Sequence, residues 1–336
     1  MPIRRAISVV GQRTRRLQSG GESGLLSNAV TRRFAGMFRV SQDAPPPPAA
    51  EAWTIKRVLE WTTQHLAKHG SDSPRLEAEI LLAHARKYRR IQLYTNYDEV
   101  LTDAVRGQMR ELVQRRSKHE PVAYLVGYRE FFSLEFRVTP DVLIPRPDTE
   151  TLVLEAIAVA KPQASPTILD LCTGSGCIAV SLAKQVSAAT LTAIDISPAA
   201  LAIARENAAK HKVADRVEFL EGNLFAPLPT ERRFDVIATN PPYVSRGELE
   251  TLDDDVRKFE PRLALDGGAD GLDLIRPIIA AAPNRLQPGG WLFLELSPER
   301  AAAAMQAAEA TGGFQNIGMV KDLAGKQRVL KAQRAG

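Results

Sequence analysis

The stretch Ile168-Leu-Asp-Leu-Cys-Thr-Gly-Ser-Gly176 limits this chain more tightly than any other. An apolar run ends in an acid, two glycines follow closely, and from Ile178 to Val186 apolar residues recur at helical spacing. A strand that turns on glycines into a helix is the opening unit of a βαβ fold. The pattern continues beyond it. Thr167 to Leu171, Thr190 to Ile194, Val217 to Leu220, Phe234 to Thr239 and Gly290 to Leu296 are short apolar runs bounded by turn residues, with Pro198 to His211 as another helix. Alternation of this kind predicts a doubly wound, mostly parallel α/β sheet. Ile317 to Val320 and Gln327 to Lys331, around Ala324-Gly325, predict an antiparallel hairpin on its edge.

The glycines let a backbone approach a ligand closely and leave helix N-terminal amides facing the site. About nineteen residues after Gly176, the second strand ends in Asp195, whose carboxylate can accept two ribose hydroxyls. The pair indicates an adenosine-containing ligand. Gly174-Ser-Gly176-Cys-Ile-Ala179 also satisfies the dinucleotide fingerprint, so the turn alone leaves the ligand open. Two features favour S-adenosylmethionine: Asp170 precedes the loop, where a carboxylate suits an ammonium better than a pyrophosphate, and the fourth strand ends in a second motif.

That motif is Asn240-Pro-Pro-Tyr243. Two prolines remove backbone donors and stiffen the turn. The Asn240 side-chain oxygen and the Pro241 carbonyl can then accept the two N–H bonds of an amide or amino group, with Tyr243 as a flat wall. An amide nitrogen is a poor nucleophile because its lone pair is delocalised. Two acceptors favour a more pyramidal nitrogen facing a sulfonium methyl, so catalysis is alignment plus electrostatic support without a dedicated base. In isolation, the same four residues also make an acceptable surface turn.

The remaining sequence sets the organisation. From Trp53 to Lys118, Ile55, Val58, Leu59 and Leu66, then Leu76, Ile80, Leu81 and Leu82, then Val105, Met109, Leu112 and Val113 mark three helices of a small bundle, with Ser73-Pro74 starting the second. Trp53 and Trp61, eight apart, are expected on one helical face. After Pro121 the pattern turns extended, with a hairpin around Ser133. Residues 1–50 contain eight Arg and two acids, lack periodicity and end in Pro45 to Pro48, which predicts a disordered leader or linker. An Arg-rich, acid-poor leader also fits a transit peptide.

Charge and composition exclude other classes. With 44% hydrophobic and 25% charged residues, the chain can bury a full core, which argues against wholesale disorder. Its formal charge of +5 is concentrated in the leader, leaving residues 51–336 at −1 and giving no case for a polyanion groove. No apolar run reaches the roughly 18 residues needed to span a bilayer. Cys172 and Cys177 flank one turn, and no metal site is expected; Asp253 to Asp255 read as a solvated loop or helix start.

Together with Tyr128-Arg-Glu-Phe-Phe, Val142-Leu-Ile-Pro-Arg-Pro-Asp-Thr-Glu150 and Glu260-Pro-Arg-Leu-Ala-Leu-Asp-Gly-Gly268 followed by Asp270-Gly-Leu, these motifs resemble the peptide-chain release factor glutamine methyltransferases, the PrmC/HemK family, over residues 53–335. The resemblance implies a class I S-adenosylmethionine-dependent methyltransferase fold, Rossmann-like, plus a small N-terminal helical domain. It implies an enzyme that transfers methyl from S-adenosyl-L-methionine to the glutamine side-chain amide of the Gly-Gly-Gln motif in class 1 peptide chain release factors.

Carried over residue by residue, the resemblance assigns the cofactor to Asp170, Cys172, Thr173, Gly174, Ser175, Gly176, Asp195, Asn223, Leu224 and Asn240, and substrate handling to Asn240, Pro241, Pro242 and Tyr243. Leu143 to Arg146 are expected near the active site. The implied organisation is a leader at 1–50, a helical substrate-docking domain at 51–122, an extended hairpin or linker at 123–148 and a catalytic domain at 149–336. The implied compartment is the cytoplasm, or the mitochondrial matrix if the leader is a transit peptide; no membrane and no direct nucleic-acid partner are expected.

The chain departs from the family pattern at three places. Cys172 stands where Gly is common, Asn223 and Leu224 stand where an acid and an aromatic often meet adenine, and Glu295-Leu-Ser-Pro-Glu-Arg300 replaces a glycine-and-glutamine pattern. The alternatives are a glutamine methyltransferase of a large-subunit ribosomal protein, a nucleic-acid amino methyltransferase, and a protein that binds the ligand without transfer.

Overall fold

The computed structural model describes residues 52–336, and Ala52–Gly336 forms one compact unit. The expected leader lies outside the described residues.

Five helices come first: α1 (Ile55–Lys68), α2 (Pro74–Arg86), α3 (Arg90–Thr95), α4 (Asp103–Arg116) and α5 (Val122–Val126). Thr54 and Thr102 cap α1 and α4 by accepting the N–H of Arg57 and Val105. Ser73 precedes Pro74 as expected but makes no side-chain cap bond. Ile55, Leu59 and Leu66 of α1 meet Leu81 and Leu82 of α2 and Leu112 and Val113 of α4 in a shared core. Each such side chain contributes about 1.5–3 kcal/mol by leaving water. Arg116 of α4 grips Glu77 of α2 through two bonds of 2.9 Å.

Two expectations need correction. Residues after Pro121 are not extended at once: Pro121, at φ −58°, sets up the single turn α5, which stops at Gly127. Trp53 does not share a helix with Trp61, because it precedes α1 and lies under the Arg57 guanidinium instead.

A hairpin of β1 (Tyr128–Phe131) and β2 (Leu134–Arg137) follows, then α6 (Thr149–Ala160). The hairpin belongs to the catalytic core: Phe131 and Phe136 pack with Leu152 of α6, and Glu150 accepts the N–H of Phe132 at its turn. The remaining elements are β3 (Thr167–Leu171), α7 (Cys177–Gln185), β4 (Thr190–Asp195), α8 (Pro198–Lys210), β5 (Val217–Glu221), β6 (Phe234–Thr239), α9 (Arg246–Leu249), α10 (Asp254–Phe259), α11 (Ile275–Arg285), β7 (Leu286–Glu295), α12 (Ala301–Ala310), β8 (Phe314–Lys321) and β9 (Gln327–Arg334). Asp253 is the N-cap of α10, matching the expected helix start.

The seven-stranded sheet runs β5-β4-β3-β6-β7-β9-β8, with β3 to β7 parallel and β9 and β8 antiparallel on one edge. From β3 the chain winds outward through β4 and β5, then returns to lay β6 on the other side of β3. The carboxyl ends of β3 and β6 therefore flank the crevice where an open α/β sheet takes its ligands. Both the glycine turn and Asn240-Pro-Pro-Tyr243 leave the sheet there.

Candidate active site

Leu171 and Thr239 are register partners at the ends of β3 and β6, so Cys172 and Asn240 begin adjacent turns. A cavity of about 390 Å³ opens above them. Asp195 ends β4 and Asn240 follows β6, on opposite sides of β3, and Cys172 to Ser175, Asn223, Leu224, Thr149 and Pro242 line the cavity with them. Leu143, Pro145 and Arg146 also line it, as expected for that segment.

Asp195 shapes the ligand end. Its Oδ2 accepts the N–H of Gly174 at 2.8 Å and its Oδ1 that of Ser197 at 2.9 Å. A carboxylate has about four acceptor sites, so two remain for a vicinal diol. Burial raises its pKa while the backbone N–H bonds pull the other way. Ile196, half exposed, and Leu224 offer apolar surface for a base, beside the polar Asn223. Gly174 lines the cavity and has open space where a Cβ would stand. A diol acceptor, apolar surface and an open backbone turn fit the adenosyl part of S-adenosylmethionine.

Asp170 and Gly176, both expected to touch the cofactor, are not among the residues lining the cavity and lie behind this wall. Asp170 is fully buried; its Oδ2 accepts from Thr173 Oγ1 at 2.6 Å and from the Ala179 N–H at 3.1 Å, tying the turn to α7. Its Oδ1 has no hydrogen-bond partner among the described residues. Burial pushes its carboxyl up to about 7, against those two bonds. A Cβ on Gly176 would stand 3.1 Å from the Ala204 side chain, so this glycine closes the turn onto α8. Cys172 adopts φ 58°, the left-handed region, which explains why glycine suits that position. Burial pushes its thiol pKa upward, away from thiolate chemistry.

At the other end, Asn240 Nδ2 donates to Thr149 Oγ1 at 3.3 Å, which leaves Oδ1 available to the cavity. No backbone N–H among the described residues donates to the Pro241 carbonyl. Pro242 lines the cavity, whereas Tyr243 packs against the cluster containing Leu294 and Leu296. Tyr243 is not among the residues lining the cavity, and the backbone that follows it is held from behind. Val244 donates to the Leu265 carbonyl at 3.0 Å, and Gly267 to the Val244 carbonyl at 2.8 Å. A Cβ on Gly271 would lie 2.4 Å from the Tyr243 carbonyl, so only glycine permits that approach.

The motif strings that flank this site meet in space. Arg146 pairs with the buried Glu260, which also accepts the Ile144 N–H at 3.2 Å. Burial raises the Glu260 pKa and the Arg146 charge opposes it. In the divergent 295–300 segment, Arg300 pairs with Glu248, the residue that completes the Ser245 capping box of α9. Glu295, at the end of β7, is buried beside Thr149.

Thr149, Glu295 and Glu260 were absent from the expected site. Thr149 and Glu260 each belong to a motif string, and that was the only sequence signal for them. No histidine lines the cavity, and no cluster of metal-ligating side chains occurs among the described residues.

The family model for the PrmC N-terminal domain matches residues 57–127, and that for the methyltransferase small domain matches 146–258. A release factor glutamine methyltransferase of Rhodopirellula baltica is 48% identical over 303 residues, 89% of this chain and 100% of the relative. One of Geobacter sulfurreducens is 46% identical over 83% of this chain and 96% of the relative. The hMettl16 catalytic domain superposes with a TM-score of 0.50 at 15% identity, covering 67% of this chain and 82% of that one, a likeness of fold alone.

Proposed function

The chain belongs to the release factor glutamine methyltransferase family, and from that membership and the site geometry we propose that it is an S-adenosylmethionine-dependent protein-(glutamine-N5) methyltransferase. Its proposed substrates are class 1 peptide chain release factors, modified at the Gly-Gly-Gln glutamine. The observation that carries this is one cavity with a diol acceptor, Asp195, at one end and an anchored amide acceptor, Asn240, at the other.

When bound, S-adenosylmethionine supplies a methyl on a sulfonium, with the C–S electron pair staying on sulfur. Asp195 and the Cys172 to Ser175 turn hold the nucleoside side of the site, while Asn223 and Leu224 border the base. Asn240 Oδ1 and the Pro241 carbonyl hold the two amide hydrogens of the glutamine. That grip favours a pyramidal nitrogen with its lone pair toward the methyl. Pro242 and Arg146 line the space around the glutamine and limit water. Methylation makes the nitrogen strongly acidic, so its proton passes to solvent without a histidine base.

The helical region, 51–122, is the proposed docking surface for the release factor, and the cytoplasm is the proposed compartment. No helix among the described residues is long and apolar enough to cross a membrane. Neither nucleic acid nor a metal is needed for this chemistry.

The test is transfer of labelled methyl to a purified class 1 release factor, beside the same factor with its Gly-Gly-Gln glutamine changed to Ala. Label on the first alone is the expected result. Equal labelling of both would move the target to another residue, and none on either would point to the ribosomal-protein or nucleic-acid alternative.

A further inference from the structure

Asn240 can serve an amide substrate only if its own amide faces the right way. The oxygen must point to the cavity and the NH₂ away from it, yet the two ends have nearly the same shape. Something must set the orientation. In this structure Asn240 Nδ2 donates to Thr149 Oγ1 at 3.3 Å. A hydroxyl can donate as well as accept, so Thr149 alone would tolerate either end of the amide. Its choice depends on where its single proton goes.

The ends of β6 and β7 supply the answer. Thr239 and Leu294 are register partners, so Asn240 and Glu295 follow side by side at adjacent strand ends. Thr149, first residue of α6, is 2% exposed and Glu295 is 1% exposed. The Thr149 hydroxyl faces Glu295 and favours its ionised form. If the hydroxyl proton is directed to that carboxylate, the Thr149 lone pairs face Asn240 and only its NH₂ end can satisfy them. The flipped amide would set oxygen against oxygen.

We propose that Glu295, acting through Thr149, is a positioning residue that holds Asn240 with Oδ1 toward the substrate amide. It touches neither substrate nor cofactor. This inference rests on the role of Asn240 proposed above.

The charge on Glu295 matters, because a neutral carboxylic acid could donate to Thr149 and release the hydroxyl proton toward Asn240. Burial pushes Glu295 up to about 7. Arg328 on β9 and Arg146 before α6 oppose that rise; Asp148, paired with Arg328, reinforces it. Tyr243 after β6 and Cys177 at the start of α7 also face it. Oε2 has no hydrogen-bond partner among the described residues. Transfer should therefore rise with pH through neutrality as the carboxylate forms.

The experiment compares Glu295→Gln, Thr149→Val and Thr149→Ser with the parent. The first substitution introduces an NH₂ that can donate to Thr149 and so permits the flip, the second removes the link, and the third keeps it. Glu295→Gln and Thr149→Val are each expected to lower kcat about 100-fold, with cofactor Kd within about two-fold and the neutral pH limb lost. Thr149→Ser should retain both rate and limb. In protein labelled with ¹⁵N-asparagine, with Asn240 assigned through Asn240→Asp, the Asn240 NH₂ signals should move in Glu295→Gln and Thr149→Val and stay in Thr149→Ser.

Unchanged kcat and unchanged Asn240 signals in Glu295→Gln would overturn the relay. So would a Thr149→Ser variant as damaged as Thr149→Val. A parent that methylates no release factor would overturn the proposed substrate, and the asparagine signals would then decide the relay without turnover.

Discussion

Thr239 donates its hydroxyl to the main-chain carbonyl of Leu171 across 2.8 Å, joining β6 to β3 one residue before each strand bends into the site. Thr239 is fully buried. Thr239→Val keeps the shape and removes the bond, so a stability loss of about 1–2 kcal/mol is expected. Because both turns hang from this point, ligand affinity and transfer should weaken together. Urea unfolding with calorimetry checks this, and a loss confined to one turn would contradict the shared anchor.

Asn240 and Asp195 occupy different parts of the cavity, and their variants should separate. Asn240→Ala is expected to lower kcat by about 10² to 10³ while leaving cofactor Kd nearly unchanged. Asp195→Ala should instead weaken cofactor binding by about 1.5–3 kcal/mol, roughly ten- to a hundred-fold. Loss of cofactor binding in the first, or an unaltered Kd in the second, would reverse the assignments.

Glu260 holds Arg146 and the Ile144 N–H at the cavity edge. Glu260→Ala leaves a guanidinium without its partner, though a third of the Arg146 side chain is exposed and water offsets part of the cost. A destabilisation of about 1–3 kcal/mol is expected. KM for the release factor should rise because residues 142–146 lose their tether. A variant of normal stability and KM would show the pair to be dispensable.

Asp170 should give stability a pH dependence. Its folded-state pKa is raised to about 7 by burial, whereas an exposed Asp ionises near about 3.9. Between those values the folded chain holds more protons than the unfolded one, so stability falls as pH climbs from about 4 to about 7 and is level above. Asp170→Asn should flatten this slope without abolishing it, because Glu295 is raised for the same reason. Denaturation midpoints across that range test it; identical slopes in parent and variant would remove Asp170 from the account.

Cys172 carries a side chain at φ 58°. Cys172→Gly relieves a cost of about 1–2 kcal/mol but adds backbone freedom to the unfolded chain. A net change within about 1 kcal/mol is expected, with ligand affinity retained. Markedly weaker binding would mean that the sulfur itself contacts the ligand.

The parallel strands, the glycine turn and Asn240-Pro-Pro-Tyr243 were legible because each is a local pattern: apolar runs of strand length, punctuation by Gly and Pro, and an acid at a strand end. The same local logic failed where neighbours decide. The apolar residues after Pro121 make a turn of helix before the hairpin begins, and a tryptophan spacing that fits one helix is split by the Thr54 cap. The motif reads Tyr243 as a wall for the substrate, whereas in the fold the loop bearing Gly267 and Gly271 presses on its backbone and its side chain packs against a neighbouring apolar cluster.

By itself, the order of residues determined most of the segments that become strands and helices and which two turns are the candidates for ligand binding, since these follow from periodicity and from backbone limits within a few residues. Only the tertiary structure decided that Asn240 meets Thr149, that Glu295 ends up beside both, and that Arg146 finds Glu260. Those partners are separated by long stretches of chain and brought together by the strand order β3-β6-β7, which is set by how the crossovers bury their apolar faces rather than by any local pattern.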